Sequence, residues 1–524
     1  MKLYKEHYNK ISTFRYNFEK VLERLKAEDN FEIKLELAMY CSNYLVYNNS
    51  GYFTSSVLEN FFLDFAKKIK VDLRDIAYSK NSVLHVMSEG YKTGGHTRVV
   101  ERWIDNAPNN QKHSVVFTRK NSSELTTLEN NIKNKNGESI TLGNEMSLKE
   151  KAIELRKLAM KYEFVVLHTH MEDPIPIIAF GVEEFKRPVF LYNHASHMAW
   201  LGKSIADLVL DIENEDEVTK IKRGISNTYF LGVPSKKISL TVTDKIAARK
   251  KLNLPLDKKI IVTSGGDARF RIICGNSFID YLKRIMDDNT YCYVIGVKPK
   301  SSAWKKIKKE TNNHVKTIGF IDFDKGFLDY LKAADLYLDS YPLCGGTAMI
   351  DAISSGTTVL SLKSVYPQFD YLTKTSAYCK TKEEFIDKAK RILNDRNYAN
   401  EIFNEVKESL MEYQSIDAWN KKIDKLFEIA PKEHKINNLT ECKDYCEDND
   451  LSVLCNVIVD KKFLKTKKYK IFTDKDLNIF IKYGHLYKKQ GIPFLFQVLS
   501  YKKSGKKAKV FKLFNIEIFK KFKK

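Results

Sequence analysis

Short runs of apolar residues, bounded by polar or glycine-containing segments, recur along the middle of the chain. The first series lies at residues 83–87, 114–118, 164–168 and 188–192, and helix-like stretches follow several of these runs. Apolar runs of four to eight residues are typical of buried strands, and their alternation with helices is typical of a parallel sheet. We therefore predict a Rossmann-like α/β domain over residues 80–235.

A second series of the same kind follows the mostly polar segment at about 234–254. Its predicted strands lie at 259–263, 291–296, 315–320, 334–339 and 357–362. A long helical pattern between about 383 and 430 closes the series. The chain is thus predicted to contain two tandem Rossmann-like domains, the second of which covers residues 236–430.

The first 79 residues have a different pattern, in which apolar positions recur at helical spacing. Residues 57–65 show this spacing clearly, whereas residues 31–39 also alternate between apolar and polar positions. The second stretch is compatible with a strand, but its Glu, Lys, Leu, Ala and Met content favours a helix. We predict a helical N-terminal region over residues 1–79.

Length and composition fit several folded domains better than a single core or a disordered chain. The chain has 524 residues, of which 43% are hydrophobic, which corresponds to about three domains. Cys442 and Cys446 lack the second pair of cysteines or histidines that would complete a zinc site. We find no signal peptide and no apolar run near the ~20 residues that span a bilayer. These features predict a cytoplasmic protein that is soluble or peripheral to a membrane.

Positive charge is concentrated at the C-terminal end of the sequence. Residues 461–524 contain 20 lysines and three acidic residues, so they carry +17 of the total net charge of +22. Polybasic segments bind anionic lipid headgroups or nucleic acid, and a merely solvated lysine-rich surface is a third interpretation. The segment contains no arginine, which argues against reading of bases. We predict a lysine-rich extension over 431–524 whose partner is an anionic membrane surface rather than nucleic acid.

A glycine-rich turn follows the predicted strand at 334–339. It consists of Gly345, Gly346 and Thr347, and a helix-like run begins directly after it. Such a turn exposes backbone N–H groups at a helix N-terminus, where the helix dipole favours an anion. Asp351 lies one helical turn further on, where its carboxylate could accept ribose hydroxyls. The motif is compatible with a turn that binds nothing, or with a site for a nucleotide-activated substrate.

Other unusual residues also follow predicted strands, and the carboxyl ends of parallel strands are where ligands bind. They are Gly94, Gly95, His96, His168, His170, His194 and His197 in the first domain, and Gly265, Gly266, Arg269 and Arg271 in the second. His194 or His197 could act as a base towards an acceptor hydroxyl or hydrogen-bond the transferred group. One of the two arginines could compensate the charge of a leaving diphosphate, although both also fit a solvated loop. His168 and His170 could bind a metal as a pair, but no third ligand is evident, and no metal site is predicted.

Over residues 82–425 the sequence resembles bacterial glycosyltransferases of the GT-B fold, of the group 1 or glycosyltransferase family 4-like kind. The resemblance rests on short motifs at residues 94–98, 168–170, 193–202, 264–269, 318–320 and 345–359. It implies that the second domain binds a nucleoside diphosphate-sugar, with Gly319 near the nucleotide base. It also implies that the first domain binds the acceptor, with Gly94, Gly95 and His96 in its glycine loop. Such enzymes usually need neither a cofactor nor a bound metal.

One departure from the family leaves the stereochemistry of transfer open. Many retaining members carry two glutamates separated by seven residues, and the corresponding positions here are Leu343 and Asp351. The residues around Leu343 are closer to inverting enzymes such as the protein O-GlcNAc transferases and their bacterial N-glycosylating relatives. The resemblance leaves the acceptor open as well, among a glycan, a lipid-linked glycan and a protein. The resemblance implies a role in bacterial surface polysaccharide synthesis, capsule or lipopolysaccharide, at the inner face of the plasma membrane.

Two other functions remain compatible with the sequence. The first is a non-catalytic protein on a GT-B scaffold that binds nucleic acid or a membrane, for which Leu343 at the position of an acid is the best support. The second is a GT-B phosphorylase or epimerase, which would share the fold but act on phosphate or a free nucleotide-sugar. Because one fold serves many activities, the choice depends on the site rather than on the fold.

Overall fold

The computed structural model describes residues 2–439, apart from short gaps, and two strands near the C-terminus. The gaps are residues 92–94, 122–123, 197, 213–219, 221–222, 235–243, 271, 273–275, 323–325 and 365–367. The two C-terminal strands, β14 (Ala508–Leu513) and β15 (Ile516–Phe522), form an antiparallel pair. The rest of the predicted basic segment 461–524, as well as Cys442 and Cys446, lies outside the described residues.

The first half of the chain forms a parallel sheet of seven strands in the order β3-β2-β1-β4-β5-β6-β7. The strands are β1 (Ser79–Met87), β2 (Lys112–Phe117), β3 (Ser139–Thr141), β4 (Tyr162–His168), β5 (Val189–Asn193), β6 (Leu208–Asp211) and β7 (Thr228–Phe230). The four strands predicted from apolar runs correspond to β1, β2, β4 and β5. The strands β3, β6 and β7 are not among those predicted; they are short and lie towards the edges of the sheet.

Helices precede the first sheet and connect its strands. They are α1 (Lys2–Ala27), α2 (Phe31–Tyr47), α3 (Ser56–Lys67), α4 (Gly95–Asn106), α5 (Thr126–Asn134), α6 (Leu148–Ala159) and α7 (Ile175–Phe180). The ambiguous stretch at 31–39 lies in α2, so the preference for helix is confirmed. Asn30 determines where this helix begins, because its side chain accepts hydrogen bonds from the amides of Glu32 and Ile33.

The second half forms a parallel sheet of six strands in the order β10-β9-β8-β11-β12-β13. The strands are β8 (Lys259–Ser264), β9 (Thr290–Ile295), β10 (Val315–Gly319), β11 (Leu336–Leu338), β12 (Val359–Leu362) and β13 (Tyr378–Cys379). The helices are α8 (Lys245–Lys251), α9 (Phe278–Ile285), α10 (Lys305–Glu310), α11 (Phe327–Ala333), α12 (Thr347–Ser354), α13 (Asp370–Thr373), α14 (Lys382–Asn394), α15 (Arg396–Gln414) and α16 (Ile416–Ile429). Two parallel sheets with connecting helices confirm the predicted α/β fold class.

The last of these helices, α16, joins the two halves. Its Phe427 stacks on Phe164 of the first sheet with ring centroids 4.5 Å apart, and its Trp419 meets Trp103 of α4 edge-on at 5.4 Å. Both tryptophans are 1% exposed and belong to one apolar core that contains residues of both sheets. Burial of aromatic rings at this scale contributes strongly to stability, so the core fixes how the two halves meet.

The N-terminal helices support a loop of the first half through a buried carboxylate. Glu59 of α3 is fully buried and accepts hydrogen bonds from the amides of Gly202, Lys203 and Ser204, at 2.7, 3.0 and 2.9 Å. Since an isolated buried carboxylate would be costly, these donors make its burial possible. The loop that follows β5 is thereby held to α3. None of the described helices is both long enough and apolar enough to cross a membrane.

Candidate active site between the two sheets

A buried ion pair connects helix α4, which follows β1, with helix α12, which follows β11. Arg102 of α4 donates to Asp351 of α12 at 2.7 Å, and their side chains are 5% and 7% exposed. Arg98, one turn earlier in α4, lies 3.9 Å from the same carboxylate. The structure thus places Asp351 against two arginines of the first half, and its predicted ribose contact stays a prediction. Arg98 lies in the motif at 94–98, but neither its contact with Asp351 nor the role of Arg102 was predicted, because Asp351 is distant in sequence.

We expect Asp351→Ala to lower the free energy of unfolding by about 3–5 kcal/mol, because it leaves the buried Arg102 uncompensated. Urea-induced unfolding followed by circular dichroism measures this loss. The matched control is the double variant Arg102→Met with Asp351→Leu, which removes both charges and should lie within about 2 kcal/mol of the wild type. A loss below about 1 kcal/mol in the single variant would contradict a buried pair of this strength.

The predicted glycine turn leaves two backbone amides available at the start of α12. Gly346 precedes the helix with φ +53° and ψ −118°, a conformation that residues with a Cβ rarely adopt. The amide of Gly345 donates to Asp339 at 2.6 Å. In the part of the chain that the structure describes, no acceptor is bonded to the amides of Gly346 or Thr347. These two N–H groups and the helix dipole together favour an anion.

The carboxylate of Asp339 holds the glycine turn in place by accepting a hydrogen bond from Gly345. It is 2% exposed and also accepts a hydrogen bond from Ser361 at 2.8 Å. Burial raises the pKa of Asp339 to about 6, against the opposing effect of the hydrogen bonds from Ser361 and Gly345. The carboxyl group therefore changes charge only a little below neutral pH, beside the turn that would hold an anion.

The raised pKa of Asp339 predicts a pH-dependent stability difference between the wild type and Asp339→Asn. Between pH ~4 and ~6 the native carboxyl holds a proton that the unfolded chain has released, so native stability falls as pH rises through that window. A shift from 3.8 to about 6 corresponds to about 3 kcal/mol. Urea unfolding of both proteins at pH 4 and pH 7 should show the wild type losing about 2 kcal/mol of this relative to the variant, because the unfolded carboxyl is already more than half ionised at pH 4. A difference that is constant, or that changes in the opposite direction, would refute the raised pKa.

Arg269 lies against the glycine turn, as the predicted diphosphate contact requires. It belongs to a 3₁₀ segment, Asp267–Phe270, directly after β8, and its guanidinium donates to the carbonyl of Cys344. Gly265 permits this approach, because a Cβ there would lie 2.6 Å from Cδ of Arg269. Gly266 is exposed and a Cβ there would meet nothing within 4 Å, so its packing requires no glycine. Arg271 lies outside the described residues.

Gly319 is connected to Gly265 by Gly296, which is not among the site residues predicted from the sequence. The amide of Gly296, which follows β9, donates to the carbonyl of Gly319 at 2.7 Å. A Cβ on Gly296 would lie 2.7 Å from the carbonyl oxygen of Gly265, and its φ is +95°. Three neighbouring strand ends are therefore in close backbone contact. The signal was present in the sequence, since Gly296 ends an apolar run as Gly265 and Gly319 do.

In the first half, two of the histidines predicted for the site stack on each other. The rings of His96 and His194 have centroids 4.0 Å apart and an interplanar angle of 21°. Burial and the neighbouring His170 lower the pKa of His96 to about 4. Burial, followed by His96, His168 and His170, holds the pKa of His194 well below its ordinary value. Both rings are therefore neutral at pH 7.

The other residues of the first half that were predicted for the site or as unusual strand-end residues are Gly94, Gly95, His168, His170 and His197. Gly95 begins α4, and a Cβ there would meet nothing within 4 Å. Gly94 and His197 lie outside the described residues. His168 ends β4 and binds the ring of His194, whereas His170 lies beyond the strand with its ring 3.3 Å from Arg119. The described residues include no group of three or more His, Cys, Asp or Glu side chains that could hold a metal ion.

A buried arginine holds the loop that carries His194. Arg223 is 2% exposed and donates to the carbonyls of Phe53, Ser196 and Met198, at 2.8, 3.0 and 2.7 Å. It also lies over the ring of Trp200 at 4.3 Å. Fixed cations that satisfy several carbonyls make a loop rigid. The loop that carries His194 is therefore held by Arg223, and further along by Glu59. No local pattern distinguishes Arg223 from a surface arginine.

Cavities on the first half lie at both ends of its strands. A small one is lined by His170, His194, Tyr192 and Trp200, at the carboxyl ends of the strands. A larger one of about 450 Å³ is lined by residues such as Ser79 at the opposite, amino-terminal ends. Because ligands of open α/β sheets bind at the carboxyl ends, the smaller cavity beside His194 is the one that belongs to the candidate site.

Solved structures share this architecture at low sequence identity. The crystal structure of Anabaena Alr3699/HepE in complex with UDP-glucose covers 66% of this chain and 99% of its own, with 13% identity and a TM-score of 0.50. A glycosyltransferase from Rickettsia africae covers 67% of this chain and 98% of its own, with 12% identity and a TM-score of 0.50. No protein-family model matches the sequence, and no curated protein matches it either. The two similarities in structure, together with the pair of parallel sheets, show that the chain has the GT-B fold.

Proposed function

We propose that the protein is a glycosyltransferase that moves a sugar from a nucleoside diphosphate-sugar to an acceptor hydroxyl. The observation that carries this proposal is the pair of free amides of Gly346 and Thr347 beside Arg269, at the N-terminus of α12. Two N–H donors, a helix dipole and a guanidinium suit a diphosphate leaving group, whose negative charge grows as the glycosidic bond breaks. This arrangement compensates the charge without a metal, so the proposal includes no cofactor.

The first half supplies the groups for the acceptor. Helix α4 carries His96 in its first turn and meets α12 through Arg98, Arg102 and Asp351. The ion pairs therefore hold the helix that carries His96 against the helix that begins after Gly346. A neutral histidine can take the proton of an acceptor hydroxyl while its oxygen bonds to the anomeric carbon and the nucleoside diphosphate leaves.

We also propose a donor, a class of acceptor and a location for the protein. The Anabaena structure holds UDP-glucose, so UDP-sugars are the first donors to test. We assign the acceptor to a glycan, a lipid-linked glycan or a protein, in surface polysaccharide synthesis at the cytoplasmic face of the membrane. The lysines of 461–524 support this location, since each lysine near an anionic surface adds about 1 kcal/mol of attraction.

Release of nucleoside diphosphate from a panel of nucleotide-sugars tests the proposal. We expect one donor to be consumed, slowly with water and faster with its acceptor, and we expect Arg269→Ala to reduce the rate about 10²-fold or more. Arg269→Lys is the matched control, because it keeps the charge but loses the planar geometry and should retain part of the rate. No release from any donor, together with salt-sensitive binding of RNA or DNA, would favour the non-catalytic alternative.

A further inference from the structure

Four histidines on or beside neighbouring strands of the first sheet form one hydrogen-bonded row. The row passes from β2 through β1 and β4 to the loop after β5. Ring nitrogens are 2.9 Å apart between His113 and His85, 3.1 Å between His85 and His168, and 3.0 Å between His168 and His194. At the outer end, Nε2 of His113 lies 2.8 Å from Oε1 of Gln111. The row therefore connects the amino-terminal end of β2 with the candidate active site.

The order of the nitrogen atoms gives the row a single direction. A neutral imidazole has one N–H donor and one acceptor nitrogen, and the amide oxygen of Gln111 only accepts. Nε2 of His113 is then the donor to Gln111, and its Nδ1 accepts from Nε2 of His85. Likewise Nδ1 of His85 accepts from Nε2 of His168, and Nδ1 of His168 accepts from Nε2 of His194. Nδ1 of His194 is the atom left without a proton.

All four rings are neutral at pH 7 in this environment. Burial lowers the pKa of His113 and of His168 to about 3, with further lowering by Lys135 at His113 and by His96 at His168. The pKa values of the other two rings are lowered by burial and by neighbouring histidines, among them His170. Among the described residues, no carboxylate is hydrogen-bonded to any ring of the row. A positive charge within the row would therefore be poorly compensated.

We propose that this row fixes the tautomer of His194, so that Gln111 at the amino-terminal end of β2 keeps Nδ1 of His194 in the form that can accept a proton. His113, His85 and His168 are positioning residues in this view, and they act over three strand spacings, about 15 Å. The role of His194 as a base rests on the proposed function. The tautomer, in contrast, is a property of the folded chain and can be measured without any substrate.

Nitrogen-15 NMR of the full-length protein labelled at histidine measures the tautomer directly. Protonated and unprotonated ring nitrogens have distinct chemical shifts, and the chain has only 11 histidines. The signals of His194 are identified by their disappearance in His194→Gln. We expect the wild type at pH 7 to show Nε2 of His194 protonated and Nδ1 unprotonated. A protonated Nδ1 would overturn the inference.

Two substitutions of Gln111 form a matched pair, because the residue is half-buried at the end of the row and contributes little to the core. Gln111→Glu retains an acceptor and should leave the tautomer of His194 unchanged. Gln111→Lys offers only donors, so His113 must accept there and a population with protonated Nδ1 should appear at His194. An unchanged tautomer in Gln111→Lys overturns the inference. If that variant does not fold, Gln111→Leu, which removes the acceptor, should give a mixture of tautomers.

Turnover in the same variants separates this inference from the proposed function. If both hold, Gln111→Lys should lose rate in proportion to the fraction of His194 that carries the reversed tautomer and should keep its donor affinity, while Gln111→Glu stays near the wild type. A reversed tautomer with an unchanged rate would support the row but remove His194 as the base. An unchanged tautomer with a reduced rate would refute the row and leave the proposed function intact.

Discussion

Gly346→Val should abolish the stabilisation of the protein by its donor and reduce nucleoside diphosphate release by about 10²-fold or more. Gly346 has φ +53° and ψ −118° directly before α12, and a β-branched side chain cannot adopt this conformation without strain of about 1–3 kcal/mol. The turn must then change its path, which moves the amides of Gly346 and Thr347 away from the diphosphate. Thermal unfolding with and without donor, and initial rates of release, measure the two effects.

The opposite end of the same helix offers a matched control. Gly356 has φ +78° and follows α12, so Gly356→Val adds a comparable strain at a distance from the turn. We expect it to lower the melting temperature like Gly346→Val but to keep the shift caused by the donor. Equal loss of the donor effect in both variants would show that the phenotype reflects stability rather than the site.

His194→Ala should reduce turnover about 10²–10⁴-fold while leaving donor binding unchanged. The ring is held by the loop between β5 and β6, stacks on His96 at 4.0 Å and is bonded to His168 at 3.0 Å. It belongs to the first half of the chain, whereas the amides and Arg269 that would bind the diphosphate belong to the second. Loss of the ring therefore affects the step that removes the proton of the acceptor, not the binding of the leaving group.

Single-turnover rates and donor affinity should be measured together for this variant. His314→Ala is a suitable control, because His314 stacks on Tyr291 at the amino-terminal side of β10, away from the carboxyl ends of the strands. We expect its rate and affinity to equal those of the wild type. A loss of donor affinity in His194→Ala similar to the loss of rate would mean that the histidine contributes to the fold of the cleft rather than to chemistry.

Much of the fold follows from the sequence because buried parallel strands and their helices have strong local signals. The apolar runs at 83–87 and 259–263 lie within β1 and β8 as predicted. Strands such as β7 and β13 are only three and two residues long, too short to show a period. They are strands because they pair with neighbouring strands, and a local sequence pattern does not show this pairing.

The site could be predicted in part for the same reason. Glycines and basic residues at strand ends are visible in the sequence, and the structure brings Gly265, Arg269, Gly319 and Gly345 together. The partner of Asp351 could not be predicted, because Arg102 lies 249 positions away and meets it only through the orientation of the two halves. Histidines 85 and 113 gave no signal either, since His85 is a single polar residue within an apolar run and His113 lies between Lys112 and Ser114 at the polar start of β2.

The most direct test of the central claim is a thermal-shift series of nucleoside diphosphates and their sugars with the full-length protein at moderate salt. A ligand at about 100 times its dissociation constant should add about 2.7 kcal/mol to native stability. Selective stabilisation by one nucleotide and its sugar, absent in Gly346→Val, is the result that we predict. No shift with any nucleotide, accompanied by binding of RNA or DNA that weakens steeply with salt, would contradict the assignment of a nucleotide-sugar site.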